Sequence, residues 1–226
     1  ESVEFLLGRR VDAMILHTQH LSDDYLTELG AKGVALVLVN RFVPELAQNC
    51  IEIDNELGGQ LATEYLLRMG HRDIACITGP LDKSDARGRL QGYRKAIEEA
   101  GLLFDEALIS EAGFTEESGI SAMRKLLKRE RPFTAVFASN DHMAFGAFEV
   151  LKEHNIQVPD QVSLIGFDDI LFARYISPPL TTVNFPIEQM SAEAVQLVIQ
   201  ILNKNKLDVS FKLSPTLVPR SSVKQL

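Results

Sequence analysis

Two pairs of polar residues stand directly after apolar runs in the middle of the chain. Asn140-Asp141 follows the run Ala135 to Ala138, and Asp168-Asp169 follows the run Val162 to Phe167. An i, i+4, i+7 apolar pattern between them predicts a helix, so the stretch is typical of strand–helix–strand units in parallel sheets. Ligands bind such sheets outside the carboxyl ends of the strands. The pairs are therefore candidate ligand-binding groups, and paired carboxylates could also act as general acid and base.

A structural interpretation stands beside the functional one. An Asn or Asp that follows a strand is often the N-cap of the next helix, and for a single pair we would favour capping. Two pairs in adjacent units leave both interpretations open, because one acid of Asp168-Asp169 can cap while the other faces a ligand.

The overall composition predicts a globular protein that does not itself bind nucleic acid. The 226 residues are 46% hydrophobic and carry a net charge of −8, whereas nucleic-acid binding needs a basic face. Cys50 and Cys76 lie beside strand-like runs, so we expect reduced core thiols of a cytosolic protein. No signal peptide opens the chain and no apolar run reaches membrane-spanning length. The first residues, Glu1 to Glu4, look like the middle of a helix, which suggests a missing beginning.

The rest of the chain alternates strand and helix patterns, which predicts a doubly wound α/β fold. The predicted extended segments are Val11–Leu16, Val34–Val39, Ile51–Ile53, Ile74–Thr78, Leu108–Ser110, Thr181–Phe185 and Phe211–Val218. The helix after Asp54-Asn55 is expected to have a buried face formed by Leu57, Leu61, Tyr65 and Met69. The helix after Pro186 is expected to bury the stripe Ile187, Met190, Ala194, Leu197, Val198 and Ile201.

Several polar side chains at or near predicted strand ends suit a polyhydroxyl ligand. Amide, carboxylate and guanidinium groups can each bind two hydroxyls at once. These side chains are Asn40, Asp85, Arg89, Asn140 and Asp168. An aromatic ring such as Phe114 or Phe185 could cover the apolar face of a sugar, although each alone is more often a core residue.

Common catalytic, cofactor and metal signatures are missing from the sequence. There is no phosphate-binding loop, no G-x-G-x-x-G after a strand, no G-x-S-x-G elbow and no C-x-x-C pair. The five histidines show no metal-ligand spacing. The best case for an enzyme combines Asp168-Asp169 with His142, but nothing in the sequence supplies its geometry. We therefore predict no enzymatic activity, no cofactor and no metal, and we assign Gly88 and Gly92 to helix packing.

Five segments, in this order, carry a resemblance to a known family. They are IDNELGGQLATEYLLRMGHRDIACITGP, DARGRLQGY, FASNDHMAFGAFEVL and VSLIGFDD, followed by PPLTTV. Together they resemble the lactose/galactose-repressor family of bacterial transcription regulators over nearly the whole chain. The segments LIGFDDILFARYISPPLTTVNFPI and SPTLVPRSSV are most similar to galactose-operon repressors and isorepressors.

The resemblance implies a periplasmic-binding-protein-like fold with two doubly wound parallel-sheet subdomains and three crossovers, near Ile53, Phe185 and Pro215. It assigns residues 1–53 and 186–214 to the N-subdomain and residues 54–185 and 215–226 to the C-subdomain. The family's helix-turn-helix and hinge helix, and the first strand, helix and second strand of its N-subdomain, have no counterpart in this sequence.

The resemblance also implies residue roles. Positions that hydrogen-bond the effector sugar in the family match Asn40, Arg89, Asn140 and Asp168. Asp85 matches a loop position beside the sugar, Phe114 matches an aromatic that stacks on the ring, and Phe185 lies on a crossover at the cleft. Asp141 and Asp169 follow the motif as possible structural caps.

The implied function is a cytoplasmic, allosteric repressor that responds to galactose or a related sugar. Sugar in the cleft would bias the angle between subdomains and so change operator affinity in a homodimer. Phe145, off the inner face of its helix, supports dimerisation through the C-subdomain, with packing inside the same chain as the alternative. The rival functions are a transport-type periplasmic sugar-binding protein and a sugar-modifying enzyme. Purines and other sugars also fall within the family's range, and the sequence does not fix whether effector induces or co-represses.

Overall fold

The computed structural model describes residues 2–18, 21–204 and 212–226. They divide into two compact units, which we call unit 1 (Glu1–Ile53 and Pro186–Leu213) and unit 2 (Asp54–Phe185 and Ser214–Leu226). The chain thus passes from one unit to the other three times. The expected last extended piece began at Phe211, which lies outside the described residues.

Helices and strands alternate through most of the described chain. The helices are α1 (Ser2–Gly8), α2 (Asp23–Ala31), α3 (Asn55–Arg68), α4 (Ser84–Glu99), α5 (Glu116–Lys128), α6 (Asp141–Glu153) and α7 (Ile187–Leu202). The strands are β1 (Ala13–Leu16), β2 (Ala35–Val39), β3 (Cys50–Ile53), β4 (Ile74–Thr78), β5 (Ile109–Glu111), β6 (Ala135–Ala138), β7 (Ser163–Asp168), β8 (Thr181–Asn184), β9 (Lys212–Leu213) and β10 (Thr216–Val218). In the described ranges no helix is long and apolar enough to cross a membrane.

Unit 1 contains a four-stranded parallel sheet in the order β1-β2-β3-β9. Strand β2 is buried along its whole length, as its unbroken apolar sequence predicts. Helix α7 packs against this sheet and buries Met190, Ala194 and Leu197. The predicted stripe was wrong at Ile187, which is 55% exposed: it is the first residue of α7, and the buried stripe begins one turn later.

Unit 2 contains a six-stranded sheet in the order β10-β8-β7-β6-β4-β5. All neighbouring pairs are parallel except β10 with β8, which is antiparallel. From β4 the chain moves to β5 on one side, and from β6 it moves to β7 on the other. The carboxyl ends of β4 and β6 therefore form a topological switch point, the usual place for a ligand in such sheets.

The helices of unit 2 pack in two pairs that are brought close by glycine. A Cβ on Gly92 of α4 would lie 1.9 Å from the Glu56 carbonyl oxygen of α3, and a Cβ on Gly59 of α3 would lie 2.1 Å from the Arg89 carbonyl oxygen of α4. Helices α5 and α6 make the same kind of reciprocal contact through Gly119 and Gly146. The packing role predicted for Gly92 is confirmed, and both helix pairs depend on backbone-to-backbone contact.

This close packing overturns the predicted inner face of α3. The expected residues Leu57, Leu61, Tyr65 and Met69 are only half-buried. The buried face instead carries small residues and one leucine: Gly58, Gly59, Ala62, Thr63 and Leu66. Bulky side chains cannot fit where α3 meets α4 at backbone distance, so they lie on the flanks.

Candidate functional site

Five of the predicted binding residues come from the segments that follow the strands of unit 2. Asp85 and Arg89 lie in α4 after β4, and Phe114 follows β5. Asn140 follows β6 at the switch point, and Asp168 ends β7. Polar atoms of neighbouring strand ends are thereby collected at one edge of the sheet.

Arg89 is the central cation of this edge, and the protein holds it in a fixed orientation. Its side chain is only 4% exposed. Nε donates to Asn55 Oδ1 at 2.9 Å, and Nη1 donates to the Ser139 carbonyl oxygen at 2.5 Å. The guanidinium carbon lies 3.7 Å from the centroid of the Phe167 ring. Because stacking and two hydrogen bonds fix the plane of the guanidinium, it is preorganised to donate to a ligand.

Asp168 is the carboxylate partner of Arg89 at this edge. Its Oδ1 lies 3.5 Å from Arg89 Nη1, and its side chain remains 27% exposed. Burial raises the pKa of Asp168 to about 6, against the opposing effect of Arg89, while Asp85 raises this pKa further and His142 lowers it. The carboxylate is therefore mostly ionised at neutral pH and partly open to accept hydrogen bonds. Its backbone has φ +105°, which few residues other than Gly, Asn and Asp adopt.

Asn140 connects this edge to the aromatic residue Phe114. The Asn140 side chain caps α6 by accepting from the Met143 amide at 2.9 Å, and it donates to the Phe114 carbonyl oxygen at 3.0 Å. Phe114 has φ +65°, and its ring lies over Gly79, where a Cβ would be only 2.2 Å from the ring. The aromatic ring is thus held at the carboxyl end of β4, 5.9 Å from the Arg89 guanidinium carbon.

Asp85 does not lie in the loop where the resemblance suggested it would. It is the second residue of α4, which begins at Ser84. Its Oδ1 accepts from the Ala86 amide at 2.8 Å, and its side chain is half-buried. The prediction of a loop at Asp85 was wrong because α4 begins at Ser84, earlier than Gly79 and Pro80 indicated.

The second acid of each polar pair has a structural role. Asp141 is fully buried and accepts from Thr182 Oγ1 at 2.7 Å and from the Ile170 amide at 2.9 Å. Asp169 is 7% exposed and forms an ion pair with Arg220. Because Asp169 is paired with a cation, this arrangement does not support the general acid–base use of Asp168 and Asp169 that was considered from the sequence.

Of the two remaining predicted residues, one contacts this cluster through its backbone and the other belongs to unit 1. Phe185 follows β8, where its amide donates to the Asp168 carbonyl oxygen at 3.3 Å, and its side chain is half-buried. Asn40 belongs to unit 1, follows β2 and has φ +53°. Its amide donates to the Ile51 carbonyl oxygen at 2.7 Å.

Sequence reasoning missed the residues that support the cluster. Asn55, Ser139 and Arg220 orient Arg89 and Asp169, but they are 34, 50 and 51 residues away from their partners. No local pattern marks such contacts. Among the described residues no group of three or more His, Cys, Asp or Glu side chains could hold a metal ion.

The burial of Asp141 leads to a testable pH dependence. Burial is the main cause that raises the pKa of Asp141 to about 7, well above its unfolded value of about 3.9. The folded state therefore binds this proton more tightly, so stability from this group is greatest below about pH 4 and is lost as pH rises to about 7. In Asp141→Asn the amide can still pair with Ile170 and Thr182 without ionising. We expect the variant to gain stability relative to wild type by up to about 1.4 kcal/mol per pH unit across this window.

Urea unfolding of both proteins between pH 4 and pH 8 measures this difference. The exposed Glu149→Gln on the same helix is the matched control and should follow the wild-type profile. Parallel profiles for Asp141→Asn and wild type would show that the buried carboxyl does not titrate in this range.

Comparison with known proteins agrees with the fold and the sequence motifs. A family model described as a periplasmic binding protein-like domain matches residues 63–223. The chain is 39% identical over 224 residues to the HTH-type transcriptional regulator GalR of Escherichia coli K12, a match that covers 99% of this chain and 65% of that protein. The chain thus spans slightly less than two thirds of this relative.

Solved structures show the same likeness in three dimensions. A sugar-binding LacI-family regulator from Escherichia coli, complexed with phosphate, matches with a TM-score of 0.91 and 32% identity, over 99% of this chain and 81% of that one. A complex of the regulator CelR with cellobiose matches with a TM-score of 0.88 and 40% identity, over 97% and 68%.

The fold and these matches define a periplasmic-binding-protein-like α/β protein, as the sequence predicted. The chain belongs to the LacI family of transcriptional regulators, which confirms the resemblance to lactose/galactose repressors. The relatives named above are regulators and not enzymes.

Proposed function

We propose that this chain is the effector-binding and dimerisation part of a DNA-binding transcriptional repressor that responds to galactose or a related sugar. The observation that carries the proposal is the Arg89–Asp168 pair, a buried donor and a partly open acceptor at a switch point beside an aromatic ring. The 39% identity to GalR supports a galactose-like effector. The relatives named above are transcriptional regulators, which favours this function over that of a transport protein.

The roles of individual residues follow from their chemistry. Asp168 accepts hydrogen bonds from sugar hydroxyls, Arg89 donates to sugar oxygens, and Phe114 covers the apolar face of the ring. The remaining proposed effector-binding residues are Asn40, Asp85, Asn140 and Phe185. We assign unit 1 to the N-subdomain and unit 2 to the C-subdomain of the family.

The proposed protein works by binding and not by chemistry. No cofactor and no catalytic residue are part of this proposed function. Operator DNA is bound in the cytoplasm by a part of the protein outside this chain, since the net charge of −8 opposes DNA binding by these 226 residues.

A thermal-shift panel on the intact protein tests the proposal. Galactose or a galactoside should raise the melting temperature of the protein and change its affinity for operator DNA in one direction or the other. The sugar should be recovered unchanged. A panel in which only purines stabilise the protein, or in which a sugar is converted to product, would contradict it.

Dimerisation has a better candidate surface than the one the sequence indicated. Phe145 packs against the core of unit 2 and makes an edge contact with His142, as the alternative prediction allowed. Three apolar side chains after β7 are instead largely exposed: Leu171 (63%), Phe172 (68%) and Tyr175 (74%). Such clustering of large apolar groups marks interaction surfaces.

We expect the intact protein to be a dimer, and we expect Phe172→Glu to raise the dissociation constant of this dimer at least tenfold. An aromatic anchor in an interface typically contributes more than about 1.4 kcal/mol, and a charge there also adds a desolvation cost. Sedimentation at micromolar concentration measures the change. Leu103→Glu, at an apolar residue that is 93% exposed elsewhere in unit 2, is the control and should remain dimeric. Equal dimerisation of both variants would show that the dimer interface does not include this surface.

A further inference from the structure

The N-terminus of α4 carries its own carboxylate beside the proposed sugar site. Helix N-termini favour phosphate because their amides are free and the helix dipole is positive there. In α4 the side chain of the N-cap residue, Lys83, makes no capping bond, and the Asp85 carboxylate accepts from the Ala86 amide at 2.8 Å. The chain's own anion therefore takes a position that a ligand phosphate would otherwise favour.

The charge balance of the neighbouring groups points in the same direction. Asp85 and Asp168 contribute two carboxylates: Asp85 lies four residues before Arg89 on the same face of α4, and Asp168 lies 3.5 Å from Arg89. Arg89 supplies one positive charge, which is already shared with Asp168, Asn55 and Ser139. Asp169 is neutralised by Arg220 and adds no net charge. With these residues a phosphate dianion would meet an excess of negative charge, whereas a neutral sugar would not.

We propose that Asp85 makes this site selective for uncharged sugars and excludes phosphorylated ones. The inference rests on the proposed function, because it takes the bound ligand to be a sugar. It assigns Asp85 a role in specificity, whereas Asp168 and Arg89 supply the hydrogen bonds to hydroxyls.

Calorimetry with matched ligands tests the role of Asp85. The intact wild-type protein should bind D-galactose at least a hundredfold more tightly than D-galactose 6-phosphate. Asp85→Asn should reduce this ratio at least tenfold, whatever its affinity for galactose itself. Asp85→Ser provides a second variant if Asp85→Asn does not fold. Asp82→Asn is the matched control, because Asp82 lies three residues earlier, is 70% exposed and pairs with Lys83 at 3.3 Å.

Three results would overturn the proposal. They are equal binding of both sugars by wild type, a ratio unchanged by the Asp85 variants, and an equal change in Asp82→Asn. The last result would mean that the net charge of the loop, and not Asp85, sets the preference.

A second measurement separates this proposal from the proposed function. If no sugar in the test binds, the proposed effector is wrong, and inorganic phosphate then decides the role of Asp85. Phosphate should raise the melting temperature of the Asp85 variants but not of wild type or Asp82→Asn. No such difference would overturn the charge selectivity independently of the sugar.

Discussion

Asp168→Ala is expected to weaken sugar binding about a hundredfold or more. The partly open carboxylate, held beside Arg89, can accept hydrogen bonds from two hydroxyls. Hydrogen bonds to a charged group contribute about 1.5–3 kcal/mol each, and about 1.4 kcal/mol corresponds to a tenfold change in affinity. Asp168→Asn should lie between alanine and wild type, because it keeps the shape and tolerates the φ of +105° but loses the charge. Calorimetry on the intact protein measures both variants.

The same change should separate sugar response from DNA binding. The intact Asp168→Ala regulator should fold and bind operator, yet no longer respond to sugar. Asp160→Ala, at an exposed acid of the same unit, is the control and should behave as wild type. Wild-type sugar affinity in Asp168→Ala would show that this acid is structural. Failure of both Asp168→Ala and Asp168→Asn to fold would show the same, because asparagine tolerates the φ of +105°.

Gly92→Ala is expected to be the most damaging small substitution in unit 2. The added methyl group would lie 1.9 Å from the Glu56 carbonyl oxygen and 2.6 Å from the Gln60 amide nitrogen. Both are backbone atoms of α3, so the two helices must separate. Overpacking of this kind costs about 1–3 kcal/mol and occasionally more. Because Arg89 lies one turn earlier on α4, sugar binding should fall as well.

Urea unfolding of Gly92→Ala and Gly8→Ala tests this expectation. Gly8 is also in a helix, but among the described residues no atom outside its own helix backbone and chain neighbours lies within 4 Å of an added Cβ. Alanine there should therefore be neutral or stabilising by up to about 1 kcal/mol. Similar stability of the two variants would mean that α3 and α4 can adjust without cost.

Local patterns were sufficient for the strands and helix caps. Strand β4 was predicted with the bounds found, and Asn140 caps the helix that follows it, as the capping interpretation allowed. These features depend on a few adjacent residues, so their signal is contained in the local sequence. The positions of Asn140 and Asp168 at strand ends follow from the same patterns.

The errors arose where distant segments decide the outcome. The inner face of α3 was wrong because Gly92, more than twenty residues later, brings α4 to backbone distance and favours small residues. The supports of Arg89 could not be predicted for the same reason, since Ser139 lies 50 residues away. The roles assigned to the seven effector-binding residues remain predictions, and the calorimetry above tests those of Asp85 and Asp168.

The ion pair between Asp169 and Arg220 has a consequence for how shortened or tagged forms of the protein should be designed. Arg220 also donates to the Leu180 carbonyl oxygen, and Ser222 Oγ joins β7 to β8 through Leu164 and Thr181. A form cut before Arg220 would leave the buried Asp169 carboxylate with only the exposed Arg174, 3.8 Å away, as a cation, next to the residue proposed to bind sugar. Such a form could lose effector binding although every proposed ligand-contacting residue is present. Expression vectors for this protein should therefore retain the segment through Ser222.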